Sequence, residues 1–258
     1  ALCALPWLFF APLFLPGEAR SDFADGDFVD QFYAFASFEV SQLAAGRLPL
    51  WNPYAYSGSP FWADVQAAVA YPPSLLVALA SALVLGRLPF LALELEAVAH
   101  FAIAGCFFYL FARRAVGSRP AALLGALAFT YGGYLTGYPP LQLAVLESNA
   151  WLPAALLGAA CIVDSASKQG GPAWHGIALC SVAVGMSVLA GHPQSALYLI
   201  AVLLAFAGWS LRPRYVDRSR AVTRFALAAA LAAGLSAAGW LPALELLRLS
   251  NRALWDYA

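Results

Sequence analysis

Long apolar runs separated by short polar segments make up most of the chain. Eight runs are visible, and in chain order they cover residues 1–16, 74–86, 89–112, 120–138, 143–163, 173–190, 195–211 and 221–244. Most of them approach or exceed the roughly 20 apolar residues that a helix needs to cross a bilayer, and none alternates like a membrane β-strand. The pattern predicts an all-α, polytopic bundle of transmembrane helices.

The run 74–86 decides how many spans are predicted. Its 13 residues are too few to cross a membrane and are typical of an interfacial or re-entrant segment. Without it the chain has seven spans, with nine basic residues inside and five outside. If the run does span, the chain has eight spans, with eleven basic residues inside and three outside. The positive-inside rule slightly prefers this second arrangement. Length and charge therefore leave both arrangements open.

The ends of the chain look cut. As a helix the first run, 1–16, would reach only about 24 Å, less than the roughly 30 Å hydrocarbon core. We therefore expect a spanning helix that lacks its first turn. We also expect residues 1–258 to be a single transmembrane domain, truncated at both ends.

Composition excludes several classes of protein. The chain is 62% hydrophobic and 11% charged, whereas soluble domains are about 45–50% apolar and about 25% charged. An ordinary soluble enzyme and a disordered protein are both excluded. The 14 basic residues only balance the 14 acidic ones, so no basic excess favours nucleic acid as a partner. Four cysteines lie inside apolar runs without ligand spacing, so we expect neither disulfides nor a metal site from them.

Carboxylates crowd the start of the first long loop, which we place at 17–88. They are Asp22, Asp25, Asp27 and Asp30. Crowded carboxylates bind a divalent cation, or raise the pKa of one member so that it acts as a base. For Mg²⁺ or Mn²⁺ the candidate ligands are Asp25 and Asp27. A solvated acidic turn beside the membrane fits the same residues equally well.

The rest of this loop is rich in aromatic residues, proline and glycine. Aromatic residues at this density are typical of a membrane–water interface, and residues 28–45 are predicted to form one amphipathic helix there. The segment 46–66 and Tyr71-Pro72-Pro73 then combine Pro, Gly and Trp in a way that fixes one loop shape. Loops of fixed shape often carry function, although an ordered structural cap explains the same composition.

A few ionisable residues fall inside or beside the apolar runs. Glu96 and His100 are four residues apart and share a helix face. Ionisable residues inside a membrane are functional candidates, but Glu94 and Glu96 lie in the first turns of their helix, where interfacial exposure is the alternative. Glu147 lies near the end of its helix on the side of the long loop. His192 either contacts a substrate or caps a proline-containing turn.

Short motifs along the chain point to one family. They are GDFVDQ at 26–31, GRLPLWNPY at 46–54, GSP at 58–60, ADVQ at 63–66, YPP at 71–73, RR at 113–114, AALLGALAF at 121–129, WLP at 151–153, GHPQ at 191–194 and LPALE at 241–245. In this order they resemble the YfhO-type bacterial membrane protein family, which is similar to the GT-C superfamily of glycosyltransferases that use polyprenyl-phosphate sugars. One departure stands at 138–142, where relatives place a His and this chain reads YPPLQ.

The resemblance implies a GT-C-like fold, seven spans and an extracytoplasmic first loop with interfacial helices. It implies transfer of a sugar from a polyprenyl-phosphate donor to a cell-envelope glycopolymer or lipid, at the bacterial cytoplasmic membrane. By the same resemblance Asp27 is the first candidate for the catalytic base and Asp64 the second. The candidate substrate-binding residues are Gln31, Arg47, Trp51, Asn52, Tyr54, Gln66, Glu147, His192 and Gln194.

Two other classes of function stay open at this point. A lipid or sugar transporter, or a flippase, should show inverted repeats and polar residues near the membrane midplane. No repeat is visible, and the ionisable residues gather toward one face. A non-catalytic membrane scaffold would bind a partner through the surface of Trp51 and Tyr54 and would tolerate loss of Asp27.

Overall fold

The computed structural model describes residues 2–17, 20–23, 26–137, 142–167, 171–212 and 215–249. Helices make up about 75% of it, which confirms the all-α prediction. The helices are α1 (Leu5–Phe9), α2 (Ala34–Ala44), α3 (Pro72–Leu85), α4 (Phe90–Val116), α5 (Arg119–Tyr131), α6 (Gly133–Thr136), α7 (Leu143–Ala150), α8 (Leu152–Ser165), α9 (Trp174–Leu189), α10 (Pro193–Ser210), α11 (Arg218–Leu235) and α12 (Ala237–Leu249). A small antiparallel hairpin joins β1 (Trp51–Asn52) to β2 (Ser59–Pro60).

Three helical segments in the described part of the chain are long and apolar enough to cross a membrane. They are α4, the α7–α8 segment Leu143–Ser165, and α10. The α11–α12 pair makes a fourth if a segment bent by 70° is counted as one span. The shorter helices α3 and α9 are apolar as well. A helical protein with several candidate membrane spans is thus what the structure supports.

Three of the predicted apolar runs are not single straight helices. The run 1–16 consists of α1 and a 3₁₀ turn at Ala11–Phe14, because Pro12 has no N–H and disfavours helical geometry at the residue before it. The run 120–138 changes from α5 to α6 at Gly132, which is extended. The last run bends between α11 and α12, where the Ser236 hydroxyl donates to the Ala232 carbonyl at 2.8 Å; such back-bonding is known to bend helices.

The first loop contains the predicted helix and packs across one end of the bundle. A π-helical turn at Phe28–Tyr33 continues directly into α2. Phe28 and Phe32 are buried against side chains of α4 and α7, such as Phe101 and Leu146. The end of the bundle that the first loop covers is called the loop end. At this end α4, α7 and α10 begin and α9 ends.

Close packing of small residues holds α8 against α9. A Cβ atom on Gly158 would lie only 2.6 Å from the Cys180 backbone nitrogen. The two helices therefore approach at that point more closely than any side chain at position 158 would allow. Alanines fill the neighbouring positions, including Ala155 and Ala183. This contact fixes where the end of α9 meets the loop.

Arginines gather at the opposite end of the bundle, which we call the arginine end. They are Arg113, Arg114, Arg119, Arg212, Arg218, Arg220 and Arg224. Arg114 is paired with Asp164 at the end of α8, and Arg224 donates to the Ser165 hydroxyl at 2.8 Å. The two ends therefore differ in charge, because the loop end carries most of the acidic residues.

Candidate functional site

An apolar cleft of about 670 Å³ opens at the loop end. Its walls come from the loop segment 62–70, the end of α9, the first residue of α10 and the length of α12. The Trp62 indole N–H donates to the Ala238 carbonyl at 3.0 Å and so joins the loop to α12. Among the described residues that line the cleft, Asp64 is the only charged one.

Asp64 is fixed at the start of a short 3₁₀ turn. Its Oδ1 accepts the backbone N–H of Gln66 at 3.0 Å, which caps the turn Val65–Ala67. Partial burial raises the pKa of the Asp64 carboxyl, and the hydrogen bond from Gln66 opposes that shift. The raised pKa makes the Asp64 carboxylate a stronger proton acceptor, which is what a general base needs.

The turn that carries Asp64 rests on the GHPQ motif. Gly191 has φ +84°, and a Cβ atom there would overlap the Val65 carbonyl oxygen, so only glycine allows the turn to dock. His192 follows, and its Nδ1 accepts the backbone N–H of Ser195 at 3.1 Å. Burial lowers the pKa of His192, which favours the neutral ring that this acceptor role needs. The described contacts of His192 are those of a helix cap. Gln194 is the second residue of α10, and its side-chain amide donates to the Tyr198 hydroxyl at 2.7 Å.

Asp27 lies outside the cleft but is connected to it. Its carboxylate accepts a hydrogen bond from the Gln142 side-chain amide. One turn further along, the Gln31 amide donates to the Gln66 side chain at 2.9 Å. Asp27 and Asp64 thus face the same end of the bundle without lining the same cavity.

Only one of the two predicted metal ligands, Asp27, lies within the described residues. Asp25 lies outside the described residues, and Asp27 is engaged by Gln142. Across the described parts of the chain, no three His, Cys, Asp or Glu side chains gather closely enough to hold a metal ion.

The hairpin of the first loop presents aromatic side chains to the surroundings. Asn52 is buried and its Oδ1 accepts the Tyr54 N–H at 3.0 Å, which shapes the turn. The Trp51 ring covers Gly58 so closely that a Cβ atom there would be 2.8 Å from it. Tyr54 is 87% exposed. Arg47 is exposed and donates to the Gln42 side chain at 3.1 Å.

A largely buried polar network lies beneath the loop. The Trp151 indole N–H donates to the Tyr71 hydroxyl at 2.8 Å, and that hydroxyl is 2.6 Å from Nε2 of His100. Nδ1 of His100 is 2.8 Å from the Glu96 carbonyl oxygen. All donors are satisfied when Tyr71 donates to Nε2 and Nδ1–H donates to the carbonyl, so the ring is neutral. Burial raises the pKa of Tyr71 well above its ordinary value.

Of the two alternatives for Glu94 and Glu96, interfacial exposure is not what the structure shows, because both side chains are buried. Glu94 is fully buried and accepts from Arg20 at 2.7 Å and from the Phe23 backbone at 3.1 Å. Glu96 is buried beside Glu147 under the loop. The alternative that the helix start is exposed fails because the first loop folds over it.

Sequence reasoning missed three members of this buried region: Glu39, Ser74 and the role of Tyr71. The sequence feature that indicates this buried region is Glu39, the one charged residue of α2.

A second apolar groove, of about 660 Å³, lies among α9, α10 and α11, and its described lining residues include no charged side chain. Of the two large cavities, only the cleft at the loop end carries a carboxyl group.

Comparison of the chain with protein-family models, curated proteins and solved structures finds no match. The site must therefore be interpreted from its own geometry.

Proposed function

We propose that the protein is a membrane glycosyltransferase, which moves a sugar from a polyprenyl-phosphate donor to a cell-envelope acceptor. The observation that carries this proposal is the cleft at the loop end, whose walls are apolar and whose only charged described residue is Asp64. A donor of this class has the same division, with a long apolar chain and a polar phosphate-sugar head. The chain would occupy the cleft and place the head beside Asp64.

The chemistry needs one base. An acceptor hydroxyl attacks the anomeric carbon, the bond from that carbon to the phosphate oxygen breaks, and the polyprenyl phosphate leaves. The hydroxyl proton goes to a carboxylate within hydrogen-bond reach, which we assign to Asp64 because it lines the cleft and its burial raises its pKa. Asp27, our first candidate from the sequence, becomes the second because it does not line the cleft.

The other proposed parts follow from where residues lie at the loop end. Arg47 is an exposed cation of the first loop and would meet the departing phosphate. Trp51 and Tyr54 present ring faces that suit a sugar acceptor. Gln31 and Gln66 hold the loop helix to the Asp64 turn.

The proposed setting is a seven-span GT-C-like fold in the bacterial cytoplasmic membrane. The motif order in the sequence supports this assignment, and so does the charge of the two ends. Because cytoplasmic segments carry the excess of Lys and Arg, the arginine end would face the cytoplasm and the loop end would face outward. Donor and acceptor would then meet on the extracytoplasmic side.

Transfer of label tests the proposal. Membranes that contain the protein would receive radiolabelled polyprenyl-phosphate hexoses, and label in envelope polymer would be followed at matched protein levels. We expect Asp64→Asn to lose at least about 100-fold in rate, the usual scale for a general base, while Asp164→Asn at the arginine end keeps the wild-type rate. Equal rates in wild type and Asp64→Asn, or no transfer by wild type from any donor, would contradict the proposal.

A further inference from the structure

Three carboxyl groups share a small cavity that the proposed transfer reaction does not use. Glu39 of α2, Glu96 of α4 and Glu147 of α7 line a space of about 30 Å³, which is room for about one water molecule. All three residues are at most 5% exposed. The cavity lies on the other side of the Asp64 turn, since Ala68 lines both the cleft and this space.

The hydrogen bonds in the cavity leave the carboxyl groups short of donors. The Ser74 hydroxyl donates to Oε1 of Glu96 at 2.5 Å. The carboxyl groups of Glu96 and Glu147 line the same space. Oε1 of Glu39 and Oε1 of Glu147 have no hydrogen-bond partner among the described residues. A buried carboxylate oxygen that no donor reaches is unfavourable, and a proton on the group removes that cost.

No positive charge compensates these acids within the described residues. The polar and titratable groups that face them from the surrounding elements are Gln66 and Tyr71 of the loop, Ser74 of α3 and His100 of α4. Nδ1 of His100 is 3.9 Å from Glu147, but its hydrogen bonds make that ring neutral. Buried carboxylates without a cation are strongly unfavourable, and the usual outcome is that they bind protons.

We infer that Glu39, Glu96 and Glu147 form a proton-binding site, with room for one water molecule, inside the bundle beneath the first loop. The site is distinct from the proposed transfer site and does not depend on it. Each group comes from a different helix, so loss of the protons places two or three negative charges between α2, α4 and α7. Repulsion then loosens the loop helix from the bundle, which couples proton release to the position of the first loop.

Dicyclohexylcarbodiimide tests this inference without any assay of transfer. The reagent is apolar and reacts with protonated carboxylic acids, which add across its N=C bond with no leaving group. The intact protein in membranes would be treated over a pH series, and the adducts mapped by mass spectrometry. We expect adducts on one or more of Glu39, Glu96 and Glu147 that decrease as pH rises, and Glu245, which is exposed on α12, should stay unmodified.

Variants and a cation series complete the test. Glu39→Gln and Glu147→Gln should each reduce labelling of the remaining members at least several-fold, and Glu245→Gln should leave it unchanged. Because adducts are also mapped on the wild type, a variant that fails to fold leaves the test intact. Absence of adducts on all three residues at every pH would overturn the inference. So would labelling that is abolished by Na⁺ or Ca²⁺ at constant pH, since the site would then bind a metal cation.

Discussion

At the residue scale, burial separates the acidic side chains into distinct roles. Asp64 is half-buried on the wall of an apolar cleft and is suited to accept a proton from a substrate. Glu94 is fully buried but paired with Arg20, so it ties the start of the loop to α4. Glu39 is buried without a cation, and this makes it a proton-binding group.

The pH dependence of stability should report on Glu39. Burial, with a smaller contribution from the charge of Glu96, raises the pKa of Glu39 to about 8. Between about 4.5 and 8 the folded protein keeps a proton that the unfolded chain releases. The stabilising contribution of this proton is fully present below about 4.5 and is lost as pH rises through about 8, by about 1.4 kcal/mol per pH unit for one group.

Thermal unfolding in detergent at several pH values measures this effect. The wild-type Tm should fall as pH rises through that window, and Glu39→Gln should reduce the slope because one titrating group is removed. Glu245→Gln serves as the control and should keep the wild-type slope. A slope in Glu39→Gln equal to that of wild type would show that Glu39 is ionised in the folded protein.

The sequence predicted the positions of the helices better than it predicted which acidic residues are buried or line a cavity. Asp64 stood out because it lies in a motif, whereas Glu39 lies in none and the YPP motif did not indicate that Tyr71 is buried. The burial of both residues depends on how the first loop packs on the helices of the bundle. The alternatives for Glu94 stayed open for the same reason: its partner Arg20 lies 74 positions away. Local patterns contain no information about such long-range contacts.

At the element scale, the proposed sugar transfer depends on how the first loop docks on the helix ends. The turn Val65–Ala67 holds Asp64 on one side and forms the wall of the proton-binding cavity on the other. Gly191 is what allows this turn to lie against the end of α9. A change at one glycine should therefore disturb both sites together.

The variant Gly191→Ala tests the docking of the turn. A methyl group there overlaps the Val65 carbonyl oxygen and is also strained at φ +84°, so the segment 62–70 should detach. Limited proteolysis should cut this segment several-fold faster than in wild type. Gly208→Ala is the matched control, because nothing lies within 4 Å of its added Cβ and alanine favours a helix. Equal cleavage rates in both variants would contradict the docking account.

Helix positions were predicted better than helix shapes. The runs of apolar residues gave α3, α4, α9 and α10 within a few residues. The bend at Ser236 was not predicted, because apolar composition continues through it while a single hydroxyl–carbonyl contact changes the direction. The 74–86 run, too short to cross a membrane, is the 14-residue α3 that packs on α2 and α4.

At the scale of the whole molecule, the two ends of the bundle differ in charge and in the cavities that they carry. The arginine end has exposed ion pairs and several further arginines. The loop end has the cleft, the Asp64 turn and the buried acids. Two apolar cavities of similar size, the cleft and the groove among α9, α10 and α11, both have the capacity for a lipid chain, but only the cleft brings that chain to a carboxyl group.

In the proposed function the cleft at the loop end holds the apolar chain of a polyprenyl-phosphate donor. A photoreactive polyprenyl phosphate, irradiated with the protein in membranes and mapped by mass spectrometry, tests whether it does. We expect cross-links to the segment 62–70 and to α12, which an excess of unlabelled polyprenyl-phosphate sugar removes. Cross-links confined to the groove among α9, α10 and α11, or cross-links that the unlabelled donor does not displace, would contradict it.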